Sequence, residues 1–163
     1  MEQHCKLSDV DLTGVSNVPY RKCSISARVI EVIDGDTVKL LILVGDHPLR
    51  LNIRLSGIDT PEMRPKPVVH SEEADVAKLV KAYVSTLLAR DQIVSIRLLN
   101  VDKYGGRYVG DIYITKPGSK DAITLSDHLV AAGYAKVYNG KKKEAWSREH
   151  LLMMRENLLS IKK

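Results

Sequence analysis

The chain has 163 residues, of which 44% are hydrophobic and 28% are charged, a size and composition typical of one globular domain. It contains no run of about 18 apolar residues, which excludes a membrane-spanning helix, and its two cysteines are too few for a disulfide framework. The net charge of +5 favours an anionic partner but does not identify one.

The N-terminal residues 1–22 are polar and are interrupted by Gly14 and Pro19. They predict a flexible or loosely docked arm ahead of a domain that spans residues 23–163. The arm lacks the basic region and apolar core of a secretory signal, which favours an intracellular location. No pattern predicts a protein partner, and we expect a monomer.

Three strands are predicted after the arm. Residues 24–33 and 38–44 are rich in β-branched residues and flank the turn pair Asp34-Gly35, which indicates a hairpin. A second turn is predicted at residues 45–48, and apolar residues then alternate with polar ones over residues 49–55. This alternation is typical of a half-buried strand.

The middle of the chain predicts a loop, a helix and two more strands. Residues 59–70 contain three prolines and should be irregular. Ser71 is a favourable N-cap for a helix whose apolar stripe runs through residues 76–88. Extended-chain patterns return over residues 93–99 and 108–114.

Two helices are predicted near the C-terminus. The first is capped by Ser126 and ended by Gly133, and the second runs from Lys142 or Lys143 to Ile161. Five strands and three helices in this order predict an α+β fold, a five-stranded OB-fold barrel with three α-helices.

Acidic and arginine residues lie at the turns and strand ends of this predicted barrel. Asp36 follows the hairpin turn, Arg54 points away from the apolar face of its strand, and Asp59-Thr60-Pro61-Glu62 opens the irregular loop. Each feature alone is more often structural, as a turn, a helix cap or an exposed arginine. Together they supply oxygen ligands for a hard cation, a carboxylate for water and a donor for phosphate, which favours phosphodiester chemistry.

The sequence resembles the staphylococcal nuclease (thermonuclease) family from about Ala27 to Trp146. The matching strings are Val32–Lys39, Arg54-Leu55, Ile58–Glu62, Asp102–Gly105 and, more weakly, Gly133–Tyr138. The resemblance implies a nuclease domain with the same barrel and three helices. It also implies a calcium-dependent hydrolysis of DNA and RNA that has little sequence specificity and gives 3'-phosphate ends.

The resemblance also implies roles for individual residues. The implied Ca²⁺ ligands are Asp36, Asp59 and the main-chain carbonyl of Thr60. The implied catalytic residues are Glu62, as general base or water-positioning group, and the phosphate-binding Arg54 and Arg107. The implied substrate-binding residues are Lys103, Tyr104 and Tyr138.

One departure from the family pattern affects Arg107. The family places its arginine directly after the first glycine, whereas this chain reads Tyr104-Gly105-Gly106-Arg107. A glycine can absorb the insertion as a wider turn, so Arg107 remains the expected phosphate ligand. The alternatives are a catalytically silent barrel that binds single-stranded nucleic acid, and a protein-interaction module. The presence of the whole residue set favours the nuclease.

Overall fold

A computed structural model describes residue 11, residue 13 and residues 15–161. The long strands are β1 (Ser24–Asp34), β2 (Thr37–Val44), β3 (His47–Leu55), β5 (Ile93–Val101) and β6 (Tyr108–Thr115). The short strands are β4 (Ile58–Asp59), β7 (Ala122–Thr124) and β8 (Lys136–Val137). The helices are α1 (Glu73–Leu87), α2 (Leu125–Ala131) and α3 (Arg148–Ile161).

The five long strands form a closed barrel. Hydrogen bonding connects them in the order β3-β2-β1-β5-β6, and a parallel pairing of β3 with β6 closes the sheet. In this closing pair Arg54 lies opposite Val109. The predicted OB-fold barrel with three helices is therefore confirmed, and β4 and β8 form a separate two-stranded ladder outside it.

The core lies inside the barrel and beneath α1 and α3. Alternate residues of the long strands point inward, including Leu40 on β2 and Ile53 on β3, which are fully buried. Three valines of α1 and three apolar residues of α3 are buried as well: Val76, Val80, Val84, Leu151, Met154 and Leu158. The half-buried pattern of the sequence arises because each strand has only one face toward this core.

The turn predicted at residues 45–48 is shorter in the structure. His47 already pairs with Val44, so only Gly45 and Asp46 lie between the strands. Gly45 has a φ of 58°, the left-handed conformation that a two-residue hairpin turn requires. Pro48 is accommodated near the start of β3, where a strand tolerates a residue without an N–H.

The predicted helix caps at Ser71 and Ser126 are wrong. Glu72 is the N-cap of α1 and makes no capping hydrogen bond with its side chain. Thr124 caps α2 by accepting a hydrogen bond from the N–H of Asp127 at 3.0 Å. Ser126 instead donates from its hydroxyl to the carbonyl of Ser56, which ties α2 to the end of β3.

The start predicted for the last helix is also wrong. The helix α3 begins at Arg148, and Ser147 caps it by accepting a hydrogen bond from the N–H of His150 at 3.2 Å. Lys142 and Lys143 therefore belong to the preceding loop.

Part of the N-terminal arm contacts the barrel. Val18 is buried, and the N–H of Lys22 donates to the carbonyl of Leu98 at 2.8 Å. Residues 1–10, 12 and 14 lie outside the described residues, so the prediction for that part of the arm stays a prediction. None of the helices in the described part of the chain is long and apolar enough to cross a membrane.

Candidate active site

The turn between β1 and β2 positions Asp36. Its N–H donates to the carboxylate of Asp34 at 3.2 Å, and its carbonyl accepts from the N–H of Leu55 at 2.8 Å. The first contact gives Asp34 the role of a turn residue, and the second joins the turn to the end of β3. Asp36 is thereby fixed at its backbone and buried, with 5% of its surface exposed.

Gly35 brings this turn close to the loop that carries Asp59 and Thr60. A Cβ atom at Gly35 would lie 2.8 Å from Thr60 Oγ1 and 2.9 Å from Val80 Cγ1, which is closer than real atoms approach. A glycine is therefore required here because of contact with other parts of the chain, in addition to its suitability for a turn. This close approach packs the turn at Asp34-Gly35 directly against the loop that begins at Asp59.

Arg54 joins the two acidic segments. Its Nη1 donates to Asp36 Oδ2 at 2.8 Å, while Nη2 lies 3.6 Å from Asp59 Oδ1 and donates to the carbonyl of Ile58 at 3.2 Å. Burial raises the pKa of Asp36 to about 7, and the charge of Arg54 opposes this effect. Although burial lowers the pKa of Arg54, the carboxylates of Asp36 and Asp59 raise it above its ordinary value.

Glu62 lies at the edge of this buried group, with its side chain 49% exposed. Its backbone N–H donates to Glu73 Oε1 at 3.0 Å, and Glu73 itself is buried at the start of α1. This contact fixes the loop while leaving the Glu62 carboxylate accessible to water. Glu73 is a site residue that the sequence motifs do not single out.

Lys143 reaches the acidic group from the loop before α3. Its Nζ lies 2.6 Å from Asp59 Oδ1 and is also hydrogen-bonded to Glu62 Oε1. Although partial burial lowers the pKa of Lys143, the two carboxylates raise it above its ordinary value. The sequence shows Lys143 only as one of three consecutive lysines, a pattern usual for a solvated surface, so nothing in the sequence pointed to this contact.

Arg107 is held by Asp102 at the end of the turn between β5 and β6. Its Nε and Nη2 lie 2.8 and 2.6 Å from Asp102 Oδ2, which is buried. Its Nη1 donates to Thr37 Oγ1 at 3.4 Å, and that hydroxyl donates to Asp36 Oδ1 at 3.0 Å. The two arginines are thus connected to the same carboxylate, Arg54 directly and Arg107 through Thr37.

The extra glycine is absorbed within this turn. Gly105 and Gly106 have φ angles of 73° and 72°, in the left-handed region that glycine adopts without strain. The N–H of Asp102 donates to the carbonyl of Arg107 at 2.9 Å, which closes the turn. Both glycines thus lie within the turn, and Arg107, which follows them, contacts Asp102 and Thr37.

The three predicted substrate-binding residues lie around the mouth of a groove of about 930 Å³ that Arg54, Glu62 and Arg107 also line. Lys103 and Tyr104 are exposed, and Lys103 Nζ lies 5.1 Å from the centroid of the Tyr104 ring. Tyr138 is half-buried beneath Arg54, whose guanidinium carbon lies 5.7 Å from the centroid of its ring. Seven of the nine predicted residues therefore line one groove. The other two lie next to it: Asp59 contacts the groove residues Arg54 and Lys143, and Thr60 packs against Gly35.

The donor set fits a hard cation. Asp59 Oδ1 is buried and accepts no hydrogen bond of normal geometry within the described residues, although the Lys143 ammonium is close to it. Asp36 shares the Arg54 guanidinium with Asp59, and Thr60 is buried beside them. These are oxygen donors of the kind that Ca²⁺ prefers. Asp36 and Asp59 are the two side chains in this set. No three His, Cys, Asp or Glu side chains come together as a metal-binding cluster in the part of the chain that the structure describes.

The fold and the site define an OB-fold barrel with acidic and arginine residues at one rim, next to a positively charged groove. A family model described as staphylococcal nuclease homologue matches residues 52–158, well over half of the chain. The chain therefore belongs to the staphylococcal nuclease homologue family. The match begins within β3, so Asp36 and its turn lie ahead of the matched region.

Two relatives from Escherichia coli, one of them from the O157:H7 strain, are each named uncharacterized endonuclease. Each is 28% identical to this chain over 120 residues, a stretch that covers 74% of this chain. The alignment spans only 65% of the length of these curated relatives.

Proposed function

We propose that the protein is a calcium-dependent nuclease that hydrolyses phosphodiester bonds of DNA and RNA with little sequence specificity and gives 3'-phosphate ends. The observation that carries this proposal is the contact of Arg54 with Asp36 and Asp59, next to the Glu62 carboxylate. This arrangement combines groups that can hold a cation, bind a phosphate and accept a proton. Family membership and the name of the E. coli relatives support the same class of reaction.

Glu62 is the proposed general base. A water molecule near its exposed carboxylate gives up a proton to it, and the hydroxide oxygen forms a bond to phosphorus. The bond from phosphorus to the 5'-oxygen breaks, and that oxygen takes a proton from solvent to become a hydroxyl. The phosphate remains on the 3' side. The hydrogen bond from the Glu62 N–H to Glu73 fixes the backbone that carries this carboxylate.

Arg54 and Arg107 are the proposed phosphate-binding groups. Both guanidinium groups line the groove and are held by carboxylates, which orients their planar donors before substrate binds. Donors fixed in this way stabilise the negative charge that develops on the phosphate oxygens. Calcium, held by Asp36, Asp59 and the carbonyl of Thr60, would supply further positive charge at the same phosphate.

The groove favours a nucleic-acid strand without reading its sequence. Lys103, Lys141 and Lys142 line it and can contact phosphates, while Tyr104 and Tyr138 offer aromatic rings for stacking on any base. Phosphate contacts and stacking do not distinguish one base from another, which agrees with cleavage of little specificity.

One observation favours a second candidate, a catalytically silent barrel that binds single-stranded nucleic acid. The Lys143 ammonium contacts both Asp59 and Glu62, two of the groups that the reaction requires. If Lys143 stayed there permanently, the groove would bind nucleic acid but would not cleave it. Cleavage is therefore the measurement that separates the two candidates.

The test is cleavage of an end-labelled single-stranded DNA by the wild type and by Glu62→Gln, each with calcium and with a chelator. Glu149→Gln is the matched control, because Glu149 is an exposed residue in the first turn of α3. We expect cutting only with calcium, 3'-phosphate ends, and a loss of about 10²-fold or more in Glu62→Gln alone. Binding without cutting by the wild type would establish the silent barrel instead.

A further inference from the structure

Among the described residues, Lys143 is the cationic side chain that lies closest to Asp59 and Glu62. Its Nζ lies 2.6 Å from Asp59 Oδ1, and the same nitrogen is bonded to Glu62. The Asp59 side chain is only 7% exposed, whereas that of Lys143 is 40% exposed. An ammonium group from a surface loop thus lies between Asp59 and Glu62 and neutralises part of their negative charge.

We propose that Lys143 is the internal counter-ion of the metal-free site, and that its ammonium and a calcium ion exclude each other at Asp59 Oδ1. This inference rests on the proposed function, because it concerns the same calcium site. It assigns to Lys143 a positioning role: the ammonium holds Glu62 beside Asp59 until a divalent cation takes its place.

The distances explain why the two cations exclude each other. Calcium binds oxygen ligands at about 2.3 to 2.6 Å, which is the separation of Lys143 Nζ from Asp59 Oδ1. A calcium ion bound on the side of that oxygen that faces Lys143 would therefore occupy nearly the same position as the ammonium. Two positive charges at such short range also repel strongly in a partly buried site.

The loop that carries Lys143 is anchored on either side of it, so the side chain can move without a change of fold. The carbonyl of Lys141 accepts a hydrogen bond from the Tyr138 hydroxyl, and the carbonyl of Ala145 accepts one from Lys136 Nζ, both at 2.9 Å. Between these anchors Lys143 lines the same groove as Lys142. An ammonium displaced from Asp59 therefore faces the groove where a substrate phosphate would lie.

This arrangement has a consequence for calcium affinity. Calcium must displace Lys143, so its apparent affinity is reduced by the stability of the ammonium contacts. A phosphate in the groove offers the displaced ammonium another partner, and bound nucleic acid should therefore strengthen calcium binding. Lys143 would in this way couple loading of the cation to the presence of substrate.

The test compares calcium binding by the wild type, Lys143→Met and Lys142→Met, using isothermal titration calorimetry on chelator-treated protein without nucleic acid. Methionine keeps much of the side-chain length and removes the charge. Lys142→Met is the matched control, because Lys142 lines the groove but makes no ion pair with a described residue. We expect Lys143→Met to bind calcium at least about fivefold more tightly than the wild type, and the control to bind like the wild type.

Thermal unfolding of the chelator-treated proteins provides the second readout. Lys143→Met should unfold at a lower temperature than the wild type, because Asp59 and Glu62 lose their counter-ion. Lower stability combined with tighter calcium binding is a result that a merely structural lysine would not give. Lys143→Arg should bind calcium nearly as weakly as the wild type, since the charge is retained.

The outcomes separate this inference from the proposed function. If the wild type binds calcium and cleaves DNA but Lys143→Met binds calcium no more tightly, the inference about Lys143 is overturned and the nuclease proposal stands. If neither protein binds calcium and neither cleaves DNA, both are overturned.

Discussion

The two halves of the candidate site are built differently. Asp36 and Arg54 lie at the ends of barrel strands, Asp59 lies in the short strand β4, and all three are largely buried, with Arg54 only 12% exposed at its side chain. The opposite half consists of the turn at residues 102–107 and the loop at residues 138–147, which are mostly exposed. In the buried half each charged group depends on its neighbours, whereas the exposed half contributes groups that can change partners.

This difference indicates which functions each half can perform. Charges fixed in a buried network need no rearrangement as charge develops on a substrate, and such groups contribute most to the rate. Exposed groups contribute more to binding and to control of access, since they exchange partners with water and with substrate. Substitutions in the buried half should therefore change stability and rate together, and those in the exposed half should change at most one of these two quantities.

The largest effect is expected for Arg54→Gln. Loss of the guanidinium leaves Asp36 and Asp59 close together without their shared partner, and we expect a loss of about 3 kcal/mol in unfolding free energy. We also expect cleavage to fall by about 10²- to 10³-fold or more. Urea denaturation in chelator and initial cleavage rates measure the two effects. Arg97→Gln, on the exposed side of β5, is the control and should change neither.

A smaller and more selective effect is expected for Arg107→Lys. Lysine can keep an ion pair with Asp102, so the unfolding free energy should change by less than about 1 kcal/mol. It cannot reproduce the planar donors that reach toward Thr37 and the groove, and cleavage should fall by about 10²-fold. The same two measurements apply. A large loss of stability without a loss of rate would show that Arg107 serves the fold and not the reaction.

The smallest effect is expected for Tyr138→Leu. The backbone N–H of residue 138 still donates to the carbonyl of Gly57, so β8 should remain in place. Loss of the ring should weaken binding of single-stranded DNA by about tenfold, a free energy of ~1 to 2 kcal/mol for one stacked base. Fluorescence anisotropy with a labelled oligonucleotide in chelator measures this affinity. Unchanged affinity would place the base-binding surface elsewhere in the groove.

The sequence predicts the barrel well because its strands alternate regularly and its turns contain glycine. The hairpin at Asp34-Gly35 and the end of α2 at Gly133 follow from local chemistry, and both are found in the structure. The errors at Ser71 and Ser126 have one cause. Each serine is a good cap in isolation, but its hydroxyl is bonded elsewhere: Ser71 donates to the carboxylate of Glu72, and Ser126 donates to the carbonyl of Ser56.

Site prediction from the sequence has a similar limit. Motif strings locate Asp36, Arg54 and Asp59, because those residues lie in or next to regular strands. The contacts of Lys143 and Glu73 depend on how distant loops and helices meet, and no local pattern encodes that. The spacing of apolar residues predicts a helix that already includes residues 142–147. In the structure these residues form an irregular loop, and this loop brings Lys143 to the carboxylates.

The parallel pairing of β3 with β6 also has a consequence for the protein during its synthesis. Arg54 lies opposite Val109 in this pairing, and Arg107 is adjacent in sequence to the start of β6. The two arginines therefore reach the same groove only after the chain between them has been made and the barrel has closed. Such non-local pairings form late because a long loop must first be ordered. A nascent chain that emerges from the ribosome beside messenger RNA would accordingly not bring its two proposed phosphate-binding arginines together until its fold is complete.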